Sequence, residues 1–143
     1  MSKPLKLIAQ TNDDLTILSA LLQDMTIKVG DIAWRPNENK LICVGNRFVW
    51  EKKKLFRKPK GERTRTAFHI ATAQKCRFKD LDLSDTERVL ELLSIEASEN
   101  DDTLEIMLTF AGGTAIALHT EAIEIIATDV SEPWQAIARP RHD

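Results

Sequence analysis

The chain has 143 residues and a mass of 16.2 kDa, with 43% hydrophobic and 29% charged residues, 5 Gly and 5 Pro. That is the composition of one folded domain, able to bury roughly two-thirds of its unfolded surface without a disulfide or metal staple, and it excludes disordered, collagen-like and bilayer-spanning classes. The formal net charge of −2 names no partner, yet it is unevenly placed: residues 51–79 carry eleven cations against two acids (+9), and residues 80–132 carry fourteen acids against Arg88 alone (−13).

In chain order, Asn12 is a candidate N-cap, with Asp13 and Asp14 in the first turn. Leu15, Leu18, Leu21, Leu22 and Met25 recur at helical steps, so the spacing predicts a helix ending near Gln23 or Asp24. Val29 to Arg35 reads as extended, with Gly30 a candidate bulge. Pro36-Asn37-Glu38-Asn39 is a turn, and Lys40 to Trp50 alternates as a strand with Gly45-Asn46 a kink. A basic loop follows. Thr66 to Phe78 is extended again, with Phe68, Ile70, Cys76 and Phe78 at even spacing.

The second half reads in the same order. Ser84-Asp85-Thr86-Glu87 has the spacing of a capping box, which predicts a second short helix through Val89, Leu92 and Leu93. Ser98 to Asp102 is a polar turn. Thr103 to Phe110 puts Leu104, Ile106, Leu108 and Phe110 on one face. Ala111-Gly112-Gly113 is a tight hairpin, and Thr114 to Thr128 is a long strand or a bent pair. His69 and His119 fall at matching places in the two halves, so an αβββ pseudo-repeat over 5–79 and 80–130 is expected, with 131–143 an irregular tail. Where the second half turns on two glycines, the first inserts the basic loop.

The expected fold is therefore α+β and mainly antiparallel, in a single domain over 1–143. Six or so strands form a twisted sheet or partly closed barrel with two short helices. No βαβ crossover pattern is present, which argues against a doubly wound nucleotide-binding fold. With no apolar signal region at Met1 to Gln10, no lipidation motif and only Cys43 and Cys76, the expected location is cytoplasmic and away from membranes.

Catalytic and metal signals are weak. Cys43, Cys76, His69, His119 and His142 have no paired ligand spacing, so no metal and no cofactor are expected. His119 and Glu121 sit two apart on one strand face, a general-base arrangement, but no nucleophile elbow accompanies them and a structural reading is preferred. Gly112-Gly113 lacks the Lys-Ser/Thr end of a phosphate loop, and Glu99 to Asp102 lacks the ligand spacing of a calcium loop.

The basic stretch carries Lys52, Lys53, Lys54, Arg57, Lys58, Lys60, Arg63 and Arg65 with Phe56 among them. Clustered cations beside an aromatic suit an anionic partner such as nucleic acid. No nucleic-acid motif accompanies them, and a solvated loop guarding a sheet edge is the plainer account. Trp34, Trp50 and Trp134 are core anchors or, if outward, interface anchors.

Asn46-Arg47-Phe48-Val49-Trp50-Glu51, Thr109-Phe110-Ala111-Gly112-Gly113, the stretch from His119 to Val130 and the ending Arg139-Pro140-Arg141-His142 resemble a small alphaproteobacterial family, domain of unknown function 2948. The resemblance spans essentially the whole chain and implies a bacterial cytosolic protein standing alone as one domain. It implies no activity, cofactor or site residue. The functional expectation is a non-enzymatic domain that binds another protein or itself. The alternatives are a nucleic-acid- or ribosome-associated protein using 52–65 and, last, an enzyme with a His/acid site.

Overall fold

The computed structural model describes residues 5–49, 62–130 and 134–135. The architecture is mainly antiparallel β with one α-helix among the described residues. The strands are β1 (Lys6–Ala9), β2 (Thr26–Lys28), β3 (Ile32–Arg35), β4 (Lys40–Phe48), β5 (Glu62–Ile70), β6 (Ala73–Lys79), β7 (Val89–Asn100), β8 (Thr103–Phe110), β9 (Ala115–Thr120), β10 (Ile125–Asp129) and β11 (Trp134–Gln135). The helix α1 spans Asn12–Leu21.

The cap of α1 is Thr11, one residue before the expected Asn12. Its hydroxyl accepts from Asp14 N at 3.0 Å, and the Asp14 carboxylate accepts from Thr11 N at 3.2 Å, a reciprocal capping box. Leu15, Leu18 and Leu22 form the buried face. Ser19 Oγ accepts from Ile95 N at 2.9 Å and so ties the helix to β7, just past the bulge between Leu92 and Ser94.

The hydrogen-bonded path runs β1-β10-β5-β4-β2-β7-β8-β9-β6, with β3 added to β4 and β11 to β5. Its ends, β1 and β6, do not pair, so the sheet is not closed. Meanders β3-β4-β5 and β7-β8-β9 are joined through three-residue β2, which meets β4 at the single pair Thr26↔Asn46. Gly45 makes that approach feasible: a Cβ there would stand 2.3 Å from Thr26 O. The inner faces of the strands and α1 share one core, which includes Leu41, Phe68, Ile106, Phe110, Leu118 and Ile125.

The strand after each meander changes sides. β6 leaves β5 to pair with β9, and β10 leaves β9 to pair with β5. The two links clasp as they cross: Ala71 N donates to Glu124 O at 3.0 Å, and Glu121 N donates to Thr72 O at 3.1 Å. His69 and His119 each stand one residue before the end of their strand at this crossing. The single extended segment expected over Thr66 to Phe78 is therefore two strands, broken at Thr72, whose φ is 57°.

The second expected helix is absent. Asp82 Oδ1 accepts from both Ser84 N (3.0 Å) and Ser84 Oγ (2.7 Å), so the serine turns back instead of capping forward. From Val89 the backbone pairs with β2, and the apparent helical stripe Val89, Leu92, Leu93 is a bulged strand. The αβββ order thus has its helix in the first half alone. Gly30, expected as a bulge, lies in a 3-10 turn over Val29–Asp31 and donates from its N–H to Thr86 O at 2.9 Å. The Ala111–Gly113 hairpin is as expected, with φ of 85° and 88° at the two glycines.

Candidate functional site

Most strands here are apolar on the core side and polar outside. The sheet β1-β10-β5-β4-β3 departs from that rule, because several of its strands carry apolar residues on both faces. One row across its outer face follows the register Ile8↔Ile126↔His69↔Ile42↔Ala33. The adjacent row is Lys6↔Thr128↔Ala67↔Val44. Ile8 is 48% exposed, and Ile42, Val44, Ala67 and Ile126 are partly exposed. The residues between them, such as Leu41, Cys43, Phe68, Ile125 and Ala127, are the buried ones.

The rim of this face holds charges of both signs. Lys40 and Glu124 flank His69 from the β4 and β10 sides, and both act on its imidazole. Burial first, then the charge of Lys40, hold His69 below its ordinary value, while Glu124 pulls the other way. Arg35 and Glu38 form an exposed pair at 3.8 Å beside β3.

On the opposite, buried side of the same strands, at one end of the sheet, lies an ion pair. Arg47 Nε and Nη2 donate to the two oxygens of Asp129 at 2.9 Å each. Thr66 Oγ1 donates to Asp129 Oδ1 at 2.7 Å, and Leu5 N to Oδ2 at 2.7 Å. Arg47 and Asp129 are 1% and 4% exposed. Burial pushes the Asp129 carboxyl up, but the hydrogen bonds from Arg47, Leu5 and Thr66 and the arginine charge outweigh it, so it stays below the ordinary carboxylate value. The pair binds β4, β5, β10 and the start of β1 into one unit. Its position gives it no access to solvent chemistry.

The residues singled out in the sequence do not converge. Trp34 is half-buried and packs against the core. Trp50, Lys52, Lys53, Lys54, Arg57, Lys58 and Lys60 lie outside the described residues. Trp134 enters through its backbone, paired with Arg63. Arg63 and Arg65 are not loop residues; they belong to β5. The Arg63 guanidinium stacks 3.9 Å from the Phe48 ring centroid, and Arg65 Nη2 lies 3.4 Å from Asp31 Oδ2.

His119 and Glu121 do not form a couple. Glu121 accepts from Gln74 Nε2 at 2.7 Å, while His119 Nε2 stands 3.6 Å from Glu105 Oε2, which Arg77 holds at 3.0 Å. A concavity of about 620 Å³ beside them is lined by Lys75, His119, Glu99, Asp102 and Glu121. Among the described residues no group of three His, Cys, Asp or Glu is placed to hold a metal ion. Cys43 is fully buried and its thiol is pushed far up, by burial first and then by Cys76. Cys76 is pushed up to about 12 by burial, which makes it a poor nucleophile.

The outer apolar face is assembled from separate segments of the sequence. Its sequence signal is the unbroken apolar runs Leu41-Ile42-Cys43-Val44 and Ile125-Ile126-Ala127, where a one-sided strand would alternate. No curated protein and no solved structure matches the chain. The model of the family described as protein of unknown function (DUF2948) matches residues 5–142, and the chain belongs to that family.

Proposed function

We propose that this protein acts by binding rather than by chemistry, and that it self-associates through the outer face of β1-β10-β5-β4-β3. The observation that carries this reading is the partly exposed row Ile8, Ile126, Ile42 with Val44 and Ala67, framed by charges of both signs.

The occupant is a second copy, and the register supplies the argument. A two-fold axis lying in the interface along β5 sets β10 of one copy over β4 of the other, and β1 over β3. Ile126 then meets Ile42, Ile8 meets Ala33, and Glu124 meets Lys40, each pair occurring twice. An apolar centre with a complementary rim is the anatomy of a specific interface. Five strands about 4.8 Å apart and three rows about 6.8 Å apart give a face of roughly 500 Å² per copy. The total of roughly 1,000 Å² is at the lower limit for a specific interface, so the association is expected to be weak and concentration-dependent.

Sedimentation velocity across roughly a hundredfold range of concentration tests this. The wild type shifts from monomer to dimer, and Ile126→Asp stays monomeric while keeping its circular dichroism spectrum. A wild type that sediments as a monomer throughout would remove the reading. The nucleic-acid alternative through 52–65 draws on the clustered cations and Phe56 of the sequence.

A further inference from the structure

We propose that His69 makes this association pH-dependent, because the two-fold axis along β5 brings His69 of one copy against His69 of the other. The inference rests on the self-association reading above and adds its regulation. β5 is the only strand of the face that lies over its own copy, since the axis exchanges β10 with β4 and β1 with β3. His69 is in the central row of β5, between Ile126 and Ile42. Its counterpart in the second copy is therefore the residue it meets, and both imidazoles leave water when the faces close.

Among the described residues, the charged groups facing His69 are few. Lys40 on β4 repels a proton on the ring, and Glu124 entering β10 attracts one. Lys6 on β1 and Arg35 on β3, at the outer strands, are exposed. In the dimer, Glu124 and Lys40 of opposite copies pair, so the attraction of the one and the repulsion of the other for the His69 proton are both partly cancelled, and the second imidazole sets the sign. The second imidazole adds desolvation and, if protonated, a like charge.

The sign follows from linkage. Burial and Lys40 already hold His69 below its ordinary value in the single chain. Closing the faces lowers it further, so the dimer binds fewer protons than two monomers. Association is then strongest well above the His69 pKa and weakens as the pH falls through and below it. With two histidines per dimer, the limiting dependence is about a hundredfold in Kd per pH unit. Going from about pH 7.5 to about pH 5.5 moves towards the protonated imidazole, and Kd rises in that direction.

The test is the dimer dissociation constant by sedimentation at those two pH values for the wild type, His69→Leu and His69→Gln. The expected result is a wild-type Kd more than about threefold higher at the acid pH, with both variants changing by less than that. If His69→Leu does not keep its fold, His69→Gln, which is neutral and polar, is read in its place. A wild-type Kd that is flat with pH, or variants that respond as the wild type does, would overturn the role of His69 and leave the face intact. A wild type that is monomeric at both pH values would overturn the face itself, and the inference with it.

Discussion

Replacing Asp129 by Ala leaves the Arg47 guanidinium in a site where only 1% of its surface reaches solvent. The carboxylate accepts four hydrogen bonds: two from Arg47 at 2.9 Å, one from Thr66 at 2.7 Å and one from Leu5 N at 2.7 Å. Removing the carboxylate takes away two charge-assisted hydrogen bonds of the buried guanidinium and the acceptor of Thr66 and Leu5 N, and breaking a buried pair of this kind costs about 3–5 kcal/mol. For a chain of this size each kcal/mol moves Tm by roughly 3 °C, so Asp129→Ala is expected to lower Tm by roughly 10–15 °C. Arg47→Met combined with Asp129→Leu removes both charges and should recover more than half of that loss. The carboxyl is held below its ordinary value in the fold, so its contribution is present above about pH 4 and is lost as the pH falls through the folded value. Thermal unfolding followed by circular dichroism, with urea titration at neutral pH and near pH 3, measures all of this. An Asp129→Ala protein within about 1 kcal/mol of wild type would refute the argument that the pair is desolvated and structural.

Two further outcomes follow from the registers. Gly45→Ala puts a methyl group 2.3 Å from Thr26 O and 2.8 Å from Ile27 Cγ1, at the seam where β2 joins the two meanders, and is expected to cost about 1–3 kcal/mol in urea titration. Lys40→Glu and Glu124→Lys should each weaken dimerisation by severalfold, and the double exchange should restore it, because Glu124 meets Lys40 across the two-fold axis; sedimentation of the three variants decides this.

Local pattern was enough for the elements whose two faces differ. β8 alternates cleanly because Leu104, Ile106, Leu108 and Phe110 turn inward, and Gly112-Gly113 marks its hairpin because both take positive φ. Ser84-Asp85-Thr86-Glu87 misleads for a physical reason: Asp82 captures the serine that would have capped a helix. β1 was invisible, with four residues and a polar outer end. The exchange of β6 and β10 between meanders is a long-range pairing that no local spacing encodes. The candidate face was hidden for a related cause. Ile8, Ile42 and Ile126 come from three separate strands, and only the register gathers them around His69. In the sequence the histidine stands out only for its match to His119, and nothing local places it at the centre of an apolar row.

The most direct measurement is a thiol cross-link at Ala67, which lies on β5 one row from His69 and so on the axis. In Ala67→Cys with Cys76→Ser, two copies bring their residue 67 positions together across sheets about 10 Å apart. A short bismaleimide is predicted to give a covalent dimer from Ala67→Cys and none from a control at Ser98→Cys on β7. Cross-linking equal at both positions, or absent at 67 under concentrations where the protein sediments as a dimer, would contradict the two-fold along β5.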